Sequence, residues 1–249
     1  MPRDATVERL SREWDELARE DALWVILSDD PERRGRWHLD EFFATGEREV
    51  AERLDRAGKL GRPARREAAL DFGCGVGRLT RALAGRFDRA VGVDVSEEMV
   101  ERARRVNADV ENLEFRTNVA GDLAQLGSGT FDLVYSSKVL QHMASRDLAC
   151  GYIAELVRVA RPDGLVAFQL WTSVPLRRRI QPRRRLYGLA RAAGVPQRLL
   201  ARARLSPRGR GIGVPENRVR RVVEGLGARV AVTEPDGEWG LWYYVLPAD

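Results

Sequence analysis

A glycine-rich segment and a later aspartate are the residues in this 249-residue chain whose spacing best predicts ligand chemistry. The segment is Asp71-Phe72-Gly73-Cys74-Gly75-Val76-Gly77-Arg78, between an apolar run and a helical pattern. Its glycines permit a tight turn and let a ligand lie against bare backbone. Asp94 follows Gly73 by 21 residues and ends the next apolar run, where a carboxylate can accept both hydroxyls of a ribose. Position 78 is arginine, whereas the dinucleotide fingerprint needs G-x-G-x-x-G or A, so the pattern predicts a ribose-binding site and disfavours NAD.

His142 is the first candidate for a proton acceptor. It follows the apolar run FDLVYSS, in the segment SSKVLQHM, and the carboxyl end of such a strand is where open α/β sheets bind ligands. Imidazole can accept a proton near neutral pH. The alternative is that His142 caps or packs the next helix. Lys138 follows the same run, and we interpret it first as an ordinary exposed lysine.

Short apolar runs alternate with helical patterns between residues 68 and 171. This alternation predicts crossover connections and a parallel, doubly wound sheet. Ser96 and Ser145 are expected to be N-caps, and Arg161-Pro162-Asp163-Gly164 is expected to be a turn. The predicted strands are 68–72, 89–95, 113–116, 131–137 and 164–171, and the predicted helices are 78–87, 97–107 and 145–160.

The flanking regions complete the predicted architecture. A helix at 216–226 is followed by strands at 229–233 and 240–246, a pattern that suits an antiparallel edge on a parallel sheet. The fold class is therefore α/β, with a doubly wound, mostly parallel seven-stranded sheet and an antiparallel carboxyl-terminal edge. Residues 1–60 are predicted to form an amino-terminal helical cover, and residues 61–249 the ligand-binding domain.

Arginine is concentrated in one part of the chain. Residues 172–221 contain 15 arginines and one acid, Glu216, although the whole chain has a net charge of only +5. This block could bind an anionic partner, or it could be a solvated face in an arginine-biased sequence. Leucines among the arginines predict that 172–214 forms a helical insertion after the fifth strand.

Composition excludes several classes of protein. The chain is 44% hydrophobic and 32% charged, too apolar for a disordered chain, and it contains no run of about 18 apolar residues that would cross a membrane. Cys74 and Cys150 are too few for a disulfide framework, and no metal-ligand cluster is visible. The first twenty residues have no apolar segment typical of a secretion signal. We therefore expect a soluble, cytoplasmic protein without a bound metal.

Four segments together resemble the class I S-adenosylmethionine (SAM)-dependent methyltransferases. LDFGCGVGRLT is similar to the first motif of that family and VGVDVSEEMVERAR to its second. FDLVYSSKVLQHM is similar to the motif at its fourth strand, and VRVARPDGLVAF to the segment that enters its fifth. The resemblance covers about residues 65–172 and the carboxyl-terminal strand pair. It implies a Rossmann-like fold that binds SAM and releases S-adenosylhomocysteine (SAH).

The resemblance also implies the residues of the cofactor site. Asp71 and the glycines would flank the methionine part of SAM, Asp94 would bind its ribose, and Met99 would border its adenine. The third-strand segment RTNVAGDL lacks the usual Gly-Asp, so whether Asn118 or Asp122 meets the adenine stays open. The predicted cofactor-binding residues are Asp71, Gly73, Gly75, Gly77, Arg78, Asp94, Val95, Met99, Asn118, Asp122, Leu123 and Ser136.

In similar enzymes the amino-terminal segment folds over the cofactor and an insertion after the fifth strand covers the acceptor. His38 is thus the second catalytic candidate after His142, with a surface position as the alternative. The aromatic candidates for substrate contact could equally be core residues. The predicted substrate-binding residues are Trp37, Phe43, Lys138 and Trp171, and 172–214 is interpreted as a basic helical lid.

These observations predict a SAM-dependent methyltransferase that acts at an oxygen atom of a small-molecule acceptor, and the arginines suggest that this acceptor is anionic. One alternative is an RNA or protein methyltransferase that docks through the arginine-rich segment, although no RNA-binding module is recognisable. Another is a SAM-binding regulator without catalysis. The sequence leaves open whether the chain is a monomer or a homodimer.

Overall fold

A computed structural model describes residues 5–27, 34–174, 186–187, 189–190, 192–196, 199–200 and 211–248. Most of the predicted lid, 172–214, therefore lies outside the described residues. The α-helices are α1 (Ala5–Ile26), α2 (Leu39–Gly58), α3 (Arg78–Ala84), α4 (Glu97–Val106), α5 (Arg146–Val159) and α6 (Glu216–Glu224). The strands are β1 (Ala68–Phe72), β2 (Arg89–Asp94), β3 (Leu113–Thr117), β4 (Phe131–Ser136), β5 (Ala160–Trp171), β6 (Arg229–Asp236) and β7 (Gly240–Leu246).

The seven strands form one sheet in the order β3-β2-β1-β4-β5-β7-β6. The first five strands run parallel, and β7 is antiparallel to both β5 and β6. The predicted fold class is therefore confirmed, including the antiparallel edge. The strand order reverses between β1 and β4, and ligands bind at such switch points outside the carboxyl ends of the strands.

Helices cover both faces of the sheet because the strands are apolar on both sides. Side chains such as Leu70 and Phe168 pack on one face with those of α5 and α6. Ala69 and Tyr135 face the other side, with α2 and α3. Such two-sided burial explains why the strands read as continuous apolar runs rather than as an alternating pattern.

The turn predicted at 161–164 is wrong, since these residues lie in the first part of β5. Ala160 already pairs with Phe131, and the register then shifts before Leu133 pairs with Leu165. Arg161 donates a hydrogen bond to Asp132 Oδ1 at 2.8 Å, which holds the bulged segment against β4. The chain therefore bulges here instead of reversing direction.

Local capping signals were predicted more accurately. The Ser96 hydroxyl accepts a hydrogen bond from the Met99 N–H at 3.1 Å, and that of Ser145 accepts one from the Leu148 N–H at 3.1 Å. Both predicted N-caps, at the starts of α4 and α5, are therefore confirmed.

The two amino-terminal helices pack directly on the helices around the sheet. In α1, Asp15 accepts a hydrogen bond from the Ser96 hydroxyl at 2.6 Å, which joins α1 to the start of α4. In α2, Gly46 faces α3 so closely that a Cβ at this position would lie 2.4 Å from the carbonyl oxygen of Arg78. Only glycine allows this approach. The division of the chain at residue 60 stays a prediction. Among the residues described, none of the helices has the length and apolarity needed to cross a membrane.

Candidate active site

A cavity of about 570 Å³ lies at the carboxyl edge of the parallel strands. This volume is within the range of small-molecule sites, roughly 300–1,000 Å³. Its lining includes the glycine loop after β1, the end of β2, the segment 137–143 after β4, the end of β5 and the inner side of α1. It therefore extends to both sides of the switch point between β1 and β4.

The glycine loop and Asp94 form one wall of this cavity. Asp94 accepts hydrogen bonds from the Gly75 N–H at 2.8 Å and from the Ser96 N–H at 2.9 Å, one on each carboxylate oxygen. Burial raises the pKa of Asp94, and these backbone donors oppose that increase. Gly75 has a φ of +54°, and a Cβ there would lie 2.5 Å from Cδ1 of Ile26 in α1. The loop thus presents bare backbone to the cavity, with α1 directly above it.

A buried polar network lies beneath the glycine loop. Arg78 is only 5% exposed in its side chain and donates to Glu49 Oε2 at 2.7 Å and to Thr45 Oγ1 at 3.3 Å. The Tyr135 hydroxyl donates to Glu49 Oε1 at 3.1 Å. Burial alone would raise the pKa of Glu49, but the charge of Arg78 and hydrogen bonds from Ser137, Arg78 and Tyr135 lower it overall. Helix α2 is thereby tied to the first residue of α3.

Ten of the predicted site residues line the cavity. Asn118 is one of them, and its side-chain amide donates to the Asp122 carbonyl at 2.9 Å. Lys138 is another. Among the described residues other than glycine, it is the one with a positive φ, at +59°. The ten are Gly73, Gly75, Arg78, Asp94, Val95, Met99, Asn118, Lys138, His142 and Trp171.

The other predicted cofactor residues do not line the cavity, and contacts elsewhere account for them. The carboxylate of Asp122 accepts from the Ala124 N–H at 3.2 Å, and the Ser136 hydroxyl donates to the Phe72 carbonyl at 3.0 Å. Leu123 is fully buried in the core. A Cβ on Gly77 would lie 2.7 Å from the ring of Phe115.

His38, Trp37 and Phe43 are likewise outside the cavity lining. His38 is the N-cap of α2, where its carbonyl accepts from the Phe42 N–H at 3.0 Å. Trp37 and Phe43 both pack edge-on against Phe42, with ring centroids 6.1 and 5.8 Å away. These two aromatic residues belong to a small core between α1 and α2.

Asp71 lies behind the glycine loop rather than in the cavity. It is 1% exposed and accepts a hydrogen bond from the Thr80 hydroxyl at 2.7 Å, while its Oδ1 atom has no hydrogen-bond partner in the part of the chain that the structure describes. Burial raises its pKa from 3.8 to about 7, although the hydrogen bond from Thr80 and the charge of Arg78 act in the opposite direction.

Replacing Asp71 with asparagine is expected to change the pH dependence of stability. Between the ordinary pKa of 3.8 and about 7, the unfolded chain ionises at this position while the folded protein keeps its proton. The wild-type protein therefore loses stability through Asp71 as the pH rises over this range, and the loss is complete above it. The free energy of unfolding of Asp71→Asn relative to wild type should increase from pH 4 to pH 8 in urea titrations.

Asp109→Asn is the control for this prediction. Hydrogen bonds from Arg81 lower the pKa of Asp109 to about 2, so this carboxylate is ionised across the whole range. The difference in the free energy of unfolding between Asp109→Asn and wild type should stay constant from pH 4 to pH 8. A constant difference for Asp71→Asn as well would show that the Asp71 carboxyl is already ionised at pH 4.

Several cavity residues were not predicted from the sequence. The α1 side chains Glu13 and Trp14, the amides Gln141 and Gln169, and Asp236 from the end of β6 all line it. Trp14 lies edge-on to His142, with ring centroids 5.5 Å apart, in a contact between elements that are distant in the sequence. For Gln169 a signal exists, because it is a polar residue within the apolar run of a buried strand.

The strand order, the parallel direction of the first five strands, the antiparallel edge and the cavity at the switch point together define a class. They are the features of the Rossmann-like fold that solved SAM-dependent methyltransferase structures share. Residues 70–168 match the family model described as a methyltransferase domain. This region of the chain is therefore similar to a methyltransferase domain.

Curated relatives resemble the same region of the chain. A ubiquinone biosynthesis O-methyltransferase from Mesorhizobium japonicum is 33% identical over 119 residues, which cover 47% of this chain and 46% of the relative. A trans-aconitate 2-methyltransferase from Deinococcus radiodurans is 37% identical over 103 residues, 41% of this chain and 36% of the relative. The chain thus spans less than half the length of either relative.

Solved structures resemble nearly the whole chain at low sequence identity. The magnesium protoporphyrin IX methyltransferase from Synechocystis PCC 6803 with bound SAH superposes with a TM-score of 0.61, covering 96% of this chain and 99% of that one at 22% identity. At this identity the likeness establishes the fold alone.

Proposed function

We propose that the protein transfers a methyl group from SAM to an oxygen atom of a small-molecule acceptor. The observation that carries the proposal is a single cavity that joins the glycine loop and Asp94 to His142 and Trp171 on the other side of the switch point. One cavity can thus hold a cofactor beside an acceptor. Relatives named as methyltransferases of ubiquinone biosynthesis and of tocopherol support a small-molecule acceptor and transfer to oxygen.

The glycine-loop end of the cavity fits SAM. Gly75 presents backbone without a side chain to the cavity, and the partly buried carboxylate of Asp94 can accept ribose hydroxyls with the lone pairs that its two backbone donors leave. Met99 and Val95 supply an apolar border for an adenine ring, and Asn118 lies at the end of β3. These residues would hold the cofactor with its methyl group toward the other half of the cavity.

When bound, SAM supplies a sulfonium-activated methyl group. The remaining task of the chain is to align the acceptor with the S–CH₃ bond and to remove its proton. His142 lines the cavity between Trp14 and Trp171, with ring centroids 5.5 and 6.4 Å away. We assign it the role of general base, because its imidazole is held at the acceptor side and can receive the proton of a hydroxyl group.

Labelled methyl transfer tests the proposed activity. Purified protein would be given SAM with a radiolabelled methyl group and fractionated cell extract, and SAH binding would be measured by calorimetry. Label in the small-molecule fraction is the expected result. Label in RNA or protein would contradict the proposed acceptor class, and SAH binding without any labelled fraction would favour a SAM-binding regulator.

Replacing His142 with alanine is expected to lower kcat by about 100-fold while leaving SAH affinity within twofold, because general-base help commonly contributes at least this much. His38→Ala is the matched comparison, since His38 lies outside the cavity lining, and it should retain wild-type turnover. Turnover would be followed by SAH release across pH 6–9 with an acceptor found in the labelling experiment. Normal turnover by His142→Ala would show catalysis by alignment alone.

A further inference from the structure

The half of the cavity beyond the switch point is chemically different from the half that contains the glycine loop. Its lining comes from the segment after β4, the end of β5, the end of β6 and α1. The chain returns to this half after the arginine-rich segment, where Ile212 N–H donates to the Gln141 carbonyl and Val214 N–H to the Trp171 carbonyl, both at 2.8 Å. We refer to this region as the acceptor half.

Aromatic rings form a continuous wall in the acceptor half. Trp14, His142 and Trp171 line it one after another, with successive ring centroids 5.5 and 6.4 Å apart, and Trp239, outside the lining, supports Trp171 from a ring centroid 6.3 Å away. Neighbouring rings lie at 59–82° to each other, so that they are tilted or edge-on rather than stacked. Such a wall favours a flat apolar molecule, which can pack its own face or edge against the rings.

Two buried amides give this apolar site its polar character. Gln169 is 1% exposed and Gln141 is 2% exposed, and both line the cavity. The Oε1 atom of each amide is buried and has no hydrogen-bond partner among the described residues. A buried carbonyl oxygen without a donor is unfavourable, and buried polar groups in folded proteins are rarely left unpaired. A ligand that brought two donors would satisfy both oxygens.

Charged groups in the acceptor half agree with a ligand that donates hydrogen bonds. The carboxylates of Glu13 and Asp236 line it, together with the exposed Lys138. The two carboxylates and the two carbonyl oxygens are acceptors that oppose the binding of a carboxylate or phosphate, whereas the ammonium group of Lys138 favours it. The described carboxylates of this half outnumber its described cation, so a neutral acceptor fits it better than the anionic acceptor considered from the arginine content.

We propose that the acceptor half binds a neutral, planar acceptor with at least two hydrogen-bond donors, as in a ring bearing two hydroxyl groups, and that Gln141 and Gln169 select it. This proposal rests on the proposed function, since it assigns the acceptor of that same cavity. The carbonyl oxygens of the two glutamines hold the donors, the rings of Trp14 and Trp171 hold the flat body, and His142 faces one hydroxyl.

Three ring probes with the same skeleton test this selectivity in the presence of saturating SAH. They are 2,3-dihydroxynaphthalene, its dimethyl ether and 2-naphthoate, each titrated by calorimetry. The diol should bind at least tenfold more tightly than the ether, because only the diol can donate hydrogen bonds. Equal binding of diol and ether, tighter binding of naphthoate or no detectable binding of the diol would each overturn the proposal.

Variants of the two glutamines locate the effect. Gln169→Leu and Gln141→Leu should each weaken diol binding by about tenfold and leave the ether unchanged. Gln125→Leu is the matched control because Gln125 is exposed and lies outside the cavity, and it should bind all probes as wild type does. Gln169→Glu preserves the shape of the side chain and its acceptors, and it should retain the preference for the diol over the ether.

Titration with SAH before the probes separates this proposal from the proposed function. Failure of the wild-type protein to bind SAH would overturn the proposed function, and the acceptor assignment with it. Normal SAH binding without any preference for the diol, or a preference that Gln169→Leu and Gln141→Leu both keep, would overturn only the role given to the glutamines. Retained SAH affinity in each variant also shows that it is folded.

Discussion

Asp94→Ala is expected to bind SAH on the order of 100-fold more weakly than the wild-type protein, a loss of about 3 kcal/mol. Hydrogen bonds to a charged acceptor are worth roughly 1.5–3 kcal/mol each, and the two ribose hydroxyls would both lose theirs. The carboxylate also accepts from the Gly75 N–H at 2.8 Å. Its removal therefore releases the glycine loop and takes away the ribose contacts at the same time.

Calorimetric titration of SAH into wild type, Asp94→Ala and Asp94→Asn would measure this effect. The asparagine variant retains one carbonyl oxygen, so its affinity should fall between the other two. Asp122→Ala is the matched control, because this second acidic candidate lies outside the cavity lining and accepts from Ala124 instead. Unchanged affinity in Asp94→Ala would exclude Asp94 as the ribose acceptor.

Glu49→Ala is expected to lower the free energy of unfolding by about 3 kcal/mol. Arg78 has a side chain only 5% exposed, and Glu49 is its ion-pair partner at 2.7 Å. Without Glu49, the guanidinium would stay buried with only the hydroxyl of Thr45 as a described side-chain acceptor, at 3.3 Å. Breaking a buried pair in this way costs far more than losing an exposed one.

The same helix provides the control. Glu47, two residues before Glu49, pairs with Arg86 at 2.6 Å, but both side chains are substantially exposed, at 47% and 27%. Glu47→Ala should lower the free energy of unfolding by less than about 1 kcal/mol. Urea unfolding of both variants measures the difference, and equal effects would show that burial of Arg78 does not govern the strength of its pair. Glu49→Gln retains one acceptor oxygen without the charge, and its effect should lie between those of the two alanine variants.

The sheet and the cofactor side of the site could be predicted because their signals are local. Each strand of the parallel region is an apolar run, each serine cap precedes its helix directly, and the glycine loop and Asp94 follow strands whose ends must meet at one edge. The segment 161–164 was predicted incorrectly because Pro-Asp-Gly normally indicates a turn. Contact with β4, through the pair Arg161–Asp132, holds this segment as part of β5 instead.

The acceptor side could not be predicted because its residues meet only through packing. Strands β1 to β4 lie between Trp14 and His142 in the sequence. Nothing local in either segment indicates that the two rings are in contact. The pair Glu49–Arg78 joins two helices that come together because Gly46 has no side chain. Such contacts depend on how the helices lie on the sheet. A hydrophobic period of 3.6 residues in a helix or 2 residues in a strand does not specify this packing.

The position of β7 between β5 and β6 affects how the molecule can be assembled during translation. β6 leaves the ribosome before β7, yet it pairs only with β7, and β7 pairs in turn with β5. Until residues 240–246 have emerged, β5 therefore has an open edge and β6 has no place in the sheet. An open apolar edge is a site of association between nascent chains. The last strand thus completes the sheet and closes its most vulnerable edge in one step.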